Sequence, residues 1–269
     1  MGDTFQLEGT CGVYLDERRA AALIIREIQA KSILSASKIY PYVINPYVGC
    51  QHACSYCYAR YMKRFTGHTE PWGTFVDVKV NAAELLQKEI CRKRKATVWI
   101  SGVCDPYQPL EGKYRLTRQC LQILAREDWP VVIQTRSPLV LRDIDLLEEA
   151  NTAEVGLSVP TAEDETRKRF EPAAPPIPER IHALAELHRL GIRTYAMIAP
   201  VLPGAEKLME LLAGAVDHVL VDRMNYHHAD HIYRKYGLER YMTEEYLAGA
   251  CRDIRSDCDR SGIGCTTVF

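Results

Sequence analysis

The sequence lacks an excess of charge of either sign. Its 269 residues include 34 lysines and arginines and 35 aspartates and glutamates, which gives a formal net charge of −1. Proteins that hold nucleic acid mainly by neutralising phosphates usually have a clear basic excess or a basic stripe. The one dense basic run, RKRK at residues 92–95, suits either the solvated end of a helix or a small patch that contacts phosphate. Composition therefore neither supports nor excludes a nucleic-acid partner.

Long apolar runs and targeting signals are also missing. No run reaches the roughly 18 apolar residues of a membrane-spanning helix. The first residues, MGDTFQLEGTCGVYLDERR, do not have the basic stretch followed by an apolar one that a signal peptide has. We therefore expect a cytoplasmic protein with no membrane partner. Because thiols stay reduced in that compartment, the ten cysteines of the chain favour metal binding or catalysis over disulfides.

Internal repeats and low-complexity tracts are absent, and what recurs is an alternation of short β-rich runs with amphipathic helical patterns. Six runs predict strands: YVIN (42–45), TVWIS (97–101), VVIQT (131–135), EVGLSV (154–159), RTYAMIA (193–199) and HVLVD (218–222). Several are apolar at consecutive positions, which is typical of parallel strands buried on both faces. The pattern predicts an α/β fold with a parallel sheet and right-handed crossovers, either a doubly wound open sheet or a partial barrel.

Polar residues interrupt this pattern directly after the predicted strands. In both architectures ligands bind at the carboxyl ends of the strands. We therefore expect these residues to share one rim of the sheet: Cys50, Cys104, Asp105, Arg136, Ser158, Pro200, Asp222 and Arg223.

Three of the cysteines stand together in NPYVGCQHACSYCYARYM, residues 45–62, where Cys50, Cys54 and Cys57 are spaced C-x3-C-x2-C. A structural zinc site is normally closed by four ligands, and a ferredoxin-type cluster likewise takes four thiolates. No second C-x2-C pair exists in the sequence. Three thiolates on a four-iron cluster leave one iron open, and such an iron can chelate the amino and carboxylate groups of a small ligand.

The motif C-x3-C-x-aromatic-C after a first strand resembles the signature of the radical S-adenosylmethionine superfamily. The segment 45–62 taken together with SGVCDPYQPLE (101–111) and TRQCLQIL (117–124) resembles one branch of that superfamily more closely. This is the spore-photoproduct-lyase-like branch, whose members are often labelled DNA repair photolyases. The resemblance implies a partial (β/α)6 TIM-type barrel with parallel strands and outer helices over residues 41–225. Around this core we expect an N-terminal extension, 1–40, packed on the barrel, and a C-terminal helical segment, 226–269.

The resemblance also implies cofactors. Cys50, Cys54 and Cys57 would ligate a 4Fe–4S cluster whose fourth iron binds S-adenosylmethionine. An electron donor such as ferredoxin or flavodoxin would reduce the cluster, and cleavage of the cofactor would give a 5′-deoxyadenosyl radical that abstracts hydrogen from the substrate. Tyr56 would lie against the adenine, and Tyr58 matches a tyrosine linked in the lyase to returning the hydrogen atom. For both tyrosines the alternative is packing beside the cluster.

The stretch after the second strand departs from the family pattern. Its aspartate, Asp105, would help to hold the cofactor. In an alignment on Asp105, the hydrogen-donating cysteine of the lyase corresponds to Gly102 and a family serine corresponds to Cys104. Two residues further along an extended strand, Cys104 would point to the same face but be displaced by roughly 6–7 Å. Cys104 is therefore a hydrogen donor in a displaced position, a residue with a different role in the reaction, or only a small buried residue.

Two further rim residues have roles implied by the resemblance. Arg136 stands where the family has a lysine that contacts the cofactor carboxylate, and arginine can bind a carboxylate through two hydrogen bonds. Ser158 corresponds to a hydroxyl that binds the ribose. The alternatives are that Arg136 is an ordinary surface arginine and that Ser158 has no role in binding.

Two other groups of residues have metal-like spacing. In HHADH, His231 could share a helix face either with His227 or with His228. Near the C-terminus three cysteines recur every seven residues: Cys251, Cys258 and Cys265. The cysteines are either a second cluster or ordinary buried thiols.

Together these expectations describe a lyase-like radical enzyme with an unassigned substrate. One hypothesis is a DNA lesion, as in the lyase, and the other is a small metabolite, a peptide or a protein side chain. The glycine at position 102 and the near-neutral charge favour the second. A protein that only transfers electrons would not explain why Asp105, Arg136 and Ser158 share a rim.

Overall fold

The computed structural model describes residues 23–150 and 153–268. In this part of the chain short strands alternate with helices. The strands are β1 (Ile24–Ile28), β2 (Ser35–Ala36), β3 (Tyr42–Ile44), β4 (Tyr47–Val48), β5 (Phe75–Lys79), β6 (Val98–Ile100), β7 (Val131–Thr135), β8 (Ala153–Ser158), β9 (Arg193–Ile198), β10 (His218–Val221) and β11 (Gly264–Thr267).

The helices follow most of these strands. They are α1 (Lys63–Thr66), α2 (Ala82–Ile90), α3 (Glu111–Tyr114), α4 (Leu116–Arg126), α5 (Ile144–Glu149), α6 (Asp164–Phe170), α7 (Ile177–Arg189), α8 (Met209–Leu212), α9 (Asp230–Lys235) and α10 (Glu244–Ser261). Short 3-10 helices span Tyr58–Met62, Pro138–Asp143, Ala205–Lys207, His227–Ala229 and Glu239–Met242. Within the described residues no helix is both long and apolar enough to cross a membrane.

The main sheet has the strand order β11-β10-β9-β8-β7-β6-β3-β2. All neighbouring strands are parallel except β2 and β3. The order places the six predicted strands side by side in chain order, and within the described residues the pairing does not close into a ring. The α/β fold with parallel strands and outer helices, arranged as a partial barrel, is thus confirmed. The carboxyl ends of β3 and β6 to β10 all lie at one rim.

Several elements were not predicted from the sequence. A small second sheet has the order β1-β5-β4. The segment predicted as C-terminal and helical contains α9 and α10, but it also ends in β11, which pairs with β10. Residues 1–22 of the predicted N-terminal extension lie outside the described residues. The domain boundaries remain predictions.

The two faces of the main sheet differ in polarity because side chains alternate along each strand. One face packs against the helices with buried aliphatic residues such as Val131, Ile133, Val155, Leu157, Ala196 and Ile198. The inner face has polar and aromatic residues instead. There the Tyr195 hydroxyl donates to Gln134 at 3.2 Å, and Gln134 donates to the Ser158 hydroxyl at 3.2 Å.

Gly156 makes room for the ring of Tyr195 on this inner face. A Cβ atom at position 156 would lie 2.1 Å from the nearest carbon of that ring. Tyr195 is 2% exposed, and its ring also stacks on His218 with centroids 5.2 Å apart. The ring therefore closes the inner face below the rim.

We predict that Gly156→Ala lowers the free energy of unfolding by about 1–3 kcal/mol, because the added methyl group forces Tyr195 out of its place. Equilibrium unfolding in urea measures the change. Gly112→Ala is the control, since a Cβ at position 112 meets no atom within 4 Å, and it should not destabilise the protein. Equal stability of the wild type and Gly156→Ala would show that Tyr195 is not fixed there.

Candidate active site

The cysteine loop, which runs from Gly49 to Cys57, follows β4 at the rim of the sheet. Gly49 has a φ of +92°, and a Cβ atom there would lie 2.3 Å from a backbone oxygen of β5, so only glycine fits. The backbone amide of Ala53 donates to the oxygen of Cys50 at 3.4 Å, and that of Cys57 donates to Cys54 at 3.3 Å. These two turns keep the three cysteines close in space.

Burial dominates the chemistry of the three thiols. Cys50 and Cys54 are buried and Cys57 is half-buried. Burial raises the pKa of Cys50 well above its usual value, and the charges of Asp105 and the other two cysteines raise it further. Burial also raises the pKa of Cys54 to about 12 and raises that of Cys57, although Arg136 acts in the opposite direction on both. The three sulfur atoms thus interact as one group.

Polar side chains from outside the motif hold the cysteine loop in place. The carboxamide of Gln108 accepts from the backbone amide of Gln51 at 3.1 Å and donates to the oxygen of Gly49 at 3.2 Å. Arg60 donates to the oxygen of Ser55 at 2.7 Å. Sequence reasoning missed Gln108, because no pattern marks a glutamine that binds a backbone segment far along the chain.

Asp105 lies at the centre of a hydrogen-bond network. It accepts from the Thr135 hydroxyl at 2.6 Å and from the backbone amides of Arg136 at 2.7 Å and Tyr107 at 2.9 Å. It also pairs with His52 of the cysteine loop at 3.3 Å. Burial would raise the pKa of Asp105, but these partners lower it to about 2. The carboxylate therefore joins the cysteine loop to the ends of β6 and β7.

Glu171 is a second buried carboxylate, and sequence reasoning missed it. It pairs with Arg136 at 2.8 Å and with Arg180 at 2.6 Å, and it accepts a hydrogen bond from the Tyr56 hydroxyl. Its Oε1 lies 4.0 Å from the sulfur of Cys54. Burial would raise the pKa of Glu171, but the two arginines and Tyr56 lower it to about 2. The carboxylate is therefore ionised, and it fixes Arg136 and Tyr56 beside the thiols.

Tyr58 and Cys104 come together at the other side of the cysteine loop. The Tyr58 hydroxyl donates to the backbone oxygen of Gly102, and the side chain lies close enough to Cys104 for their charges to interact. The Cys104 sulfur lies 3.0 Å from the Ser101 hydroxyl and 3.3 Å from the oxygen of Tyr47. Burial raises the pKa of Cys104 to about 12, although the Ser101 hydroxyl lowers it. The thiol therefore keeps its hydrogen at neutral pH.

The space beside Gly102 is already filled. A Cβ atom there would lie 3.0 Å from the ring of Trp99. The backbone of this turn is held by Asn45, whose side-chain oxygen accepts from the amides of Gly102 at 2.9 Å and Val103 at 3.0 Å. A cysteine at position 102 would thus need Trp99 to move. The thiol of Cys104, in contrast, is accommodated beside the Ser101 hydroxyl and the backbone oxygen of Tyr47.

Ser158 is buried and is connected to the same rim. Its hydroxyl accepts from Gln134, and its backbone oxygen accepts from Arg180 at 2.8 Å. Arg180 in turn binds Glu171. The structure thus brings together the residues predicted for the site: Cys50, Cys54, Cys57, Tyr56, Tyr58, Cys104, Asp105, Arg136 and Ser158.

The two other groups with metal-like spacing lie elsewhere. His227 pairs with Asp230 at 3.2 Å. Cys258 contacts Cys265 through its side chain, and Cys251 lies near Cys265. Across residues 23–150 and 153–268, no three histidine, cysteine, aspartate or glutamate side chains converge as a site for a single metal ion would require.

Comparison with known proteins identifies the family of this fold and motif. The family model of the radical SAM superfamily matches residues 44–213. The chain belongs to the radical SAM superfamily. It is thereby an enzyme of a family that uses S-adenosylmethionine.

Three relatives match between 60% and 67% of this radical SAM enzyme. The uncharacterized protein MJ0683 of Methanocaldococcus jannaschii is 39% identical over 181 residues, 66% of this chain and 68% of the relative. The uncharacterized protein Rv2578c of Mycobacterium tuberculosis is 32% identical over 193 residues, and the matched part is 57% of that relative. The radical SAM Nalpha-GlyT isomerase of Pseudomonas phage M6 is 29% identical over 163 residues, 60% of this chain and 33% of the isomerase.

Solved structures of spore photoproduct lyase share the fold. The lyase complexed with dinucleoside spore photoproduct aligns with a TM-score of 0.65 and 15% identity, over 91% of this chain and 82% of the lyase. A mutant of the lyase in which phenylalanine replaces a tyrosine aligns with a TM-score of 0.66 over 99% of this chain and 89% of the lyase. At this identity the likeness concerns the fold.

The donor set suits the cluster and the cofactor that the family implies. Each thiolate of a four-iron cluster binds a different iron, so three grouped thiols that do not converge on one point fit it and leave one iron open. Beside them, Arg136 offers a guanidinium for a ligand carboxylate. Its Nε binds Glu171 and its Nη2 donates to Tyr56 at 3.3 Å, and no described residue accepts a hydrogen bond from its Nη1. These residues could hold both groups.

We predict that Glu171→Gln lowers the free energy of unfolding by about 3–5 kcal/mol, because it leaves the buried charge of Arg180 and the half-buried charge of Arg136 without their counter-ion. Urea unfolding of the protein measures the loss. Glu165→Gln is the control, since Glu165 is 75% exposed and pairs only at the surface with Lys168, and it should match the wild type. Equal effects of the two substitutions would contradict the role of Glu171.

Proposed function

We propose that Cys50, Cys54 and Cys57 hold a 4Fe–4S cluster and that the enzyme removes a hydrogen atom from its substrate. Bound together, the reduced cluster and S-adenosylmethionine supply the 5′-deoxyadenosyl radical for this step by cleavage of the cofactor's carbon–sulfur bond. The observation that supports the proposal most is the group of three thiols in one rim loop with a guanidinium beside it.

Arg136 and Tyr56 would position the cofactor. Arg136 binds its carboxylate through the nitrogen that Glu171 and Tyr56 leave free. The Tyr56 hydroxyl is held by Glu171, and Arg136 lies 5.9 Å from the centre of its ring. Both side chains are thus oriented before the cofactor binds, which reduces the entropy lost on binding.

Asp105 and Ser158 would contribute in different ways. Asp105 accepts several hydrogen bonds from the protein, so it acts mainly by fixing Arg136 and His52 around the cofactor. The Ser158 hydroxyl accepts from Gln134, which leaves its own hydrogen free to bind a ribose oxygen.

A lyase-like reaction on a nucleoside substrate is the candidate that Tyr58 and Cys104 favour. Spore photoproduct lyase is known in complex with its dinucleoside photoproduct. In the same kind of reaction, Cys104 would give its S–H hydrogen atom to the product radical, and the sulfur radical left behind would take a hydrogen atom from the Tyr58 hydroxyl. The tyrosyl radical would in turn recover a hydrogen atom from the methyl group of 5′-deoxyadenosine. The protonated state of the thiol and its nearness to Tyr58 support this. A small metabolite, a peptide or a protein side chain is the alternative, favoured by the net charge of −1.

We predict that Cys54→Ala abolishes formation of 5′-deoxyadenosine from S-adenosylmethionine and dithionite under anaerobic conditions, because the cluster loses one of its three thiolates. The reconstituted wild type should contain about four irons per chain, and the variant far fewer. Cys91→Ala is the control, since Cys91 is exposed and far from the loop in sequence. Iron retained in Cys54→Ala, with no 5′-deoxyadenosine from the wild type, would contradict the proposal.

The substrate class can be tested by the transfer of label. With deuterated dinucleoside spore photoproduct, the lyase-like candidate predicts one deuterium in 5′-deoxyadenosine or in the S-adenosylmethionine re-formed from it, measured by mass spectrometry. The unlabelled dinucleoside is the control. Label acquired only from a deuterated peptide or metabolite would assign the enzyme to the second class.

A further inference from the structure

Trp72 has a buried polar atom that the folded chain leaves without an oxygen or nitrogen partner. The side chain is 9% exposed. Its Nε1 has no contact with solvent, and among the described residues no oxygen or nitrogen atom accepts its hydrogen. Burial of an unpaired N–H group is costly, and most buried donors in folded proteins are paired. The indole N–H of Trp72 therefore indicates an acceptor of another kind.

The side chain of Trp72 packs against the cysteine loop. It belongs to one apolar cluster with Cys50 and Phe75, and Cys57 packs against that cluster. The indole N–H lies beside the sulfur of Cys57 and acts on it as a hydrogen-bond donor. The sulfur of a neutral thiol is a weak acceptor, and negative charge makes it a stronger one. The acceptor that suits this N–H is therefore the sulfur of Cys57 as a thiolate.

The surrounding chain fixes the position of the indole ring. Trp72 lies in a tight turn, in which the backbone amide and the hydroxyl of Thr74 both donate to the oxygen of Pro71, at 3.2 Å and 2.9 Å. The indole meets the ring of Phe75 edge-on with centroids 5.7 Å apart, and Phe75 in turn stacks on His68 at 3.9 Å. The N–H is therefore held towards the cysteine loop by packing alone.

The sulfur of Cys57 has both charges and hydrogen-bond donors around it. Burial raises its pKa, whereas four groups lower it: Arg136, the backbone amide of Ala59, Arg60 and the indole of Trp72. The two arginines act through their charge, and the amide and the indole act as donors. Of the two donors only the indole belongs to a side chain, so a substitution can remove it without changing the backbone of the loop.

A donor at this sulfur would act on the electronic properties of a cluster bound there. Hydrogen bonds to the sulfur atoms help to set the reduction potential of an iron–sulfur cluster, because they stabilise the negative charge that reduction adds. We propose that the indole N–H of Trp72 donates to the Cys57 sulfur of the bound cluster and raises its reduction potential. Trp72 is thus a residue that tunes the cluster through one of its ligands. This inference rests on the proposed function.

The substitution Trp72→Phe removes the N–H and keeps an aromatic ring to pack on Phe75. At a fixed potential, the ratio of reduced to oxidised cluster should be about tenfold lower in this variant, which corresponds to a potential lower by about 59 mV for a one-electron couple. A redox titration of the reconstituted protein, followed by electron paramagnetic resonance, measures the change. Trp129→Phe is the control, since Trp129 is also buried but precedes β7, away from the rim, and its potential should match the wild type. Equal potentials of Trp72→Phe and the wild type would overturn the proposal.

Isotope labelling tests the hydrogen bond in the wild type, without the need for a variant that folds. Protein made with tryptophan that has the heavy isotope of nitrogen in its indole should show a coupling between that nitrogen and the reduced cluster in pulsed electron paramagnetic resonance. The coupling should be retained in Trp129→Phe. A wild type with a cluster signal but no coupling would overturn the proposal. Failure of the proposed function would instead appear as no cluster signal in the wild type.

Discussion

The buried charge of Glu171 is the constraint on which this site depends. Its carboxylate has no access to water and is balanced by Arg136 and Arg180. Removal of an ion from water is costly unless partners surround it, so the three side chains must assemble together as the chain folds. Through Tyr56 the same carboxylate holds the cysteine loop, and through Arg180 it reaches the end of β8. The rim is therefore rigid before any ligand binds.

The order of the main strands could be predicted because runs such as VVIQT and RTYAMIA are short, apolar and separated by helices, which leaves few topologies. β11 could not be predicted, since GCTT is half-exposed and is held by pairing with β10 more than by its own burial. The rim residues followed from the strand ends, but their partners did not. Glu171 and Arg180 lie in a proline-rich stretch, and the ion pair of Glu171 with Arg136 exists only when that stretch folds back over the rim.

The chain shares its fold with spore photoproduct lyase and has its own arrangement of side chains after β6. The place for a side chain at position 102 is taken by Trp99, and the nearest thiol is Cys104, which Ser101 and Tyr47 hold. Burial raises the pKa of this thiol and of the three in the loop. For Cys104 this preserves an S–H bond, whereas iron bound at the loop would supply the positive charge that a thiolate requires.

The most direct test of the account is electron paramagnetic resonance of the anaerobically reconstituted, reduced protein before and after addition of S-adenosylmethionine. If Cys50, Cys54 and Cys57 hold a four-iron cluster with one open iron, the reduced protein shows a cluster signal, and the cofactor changes its shape and g-values by binding that iron. A signal that the cofactor does not alter, or no cluster signal at all, would contradict the central claim that the cysteine loop is built to bring the two together.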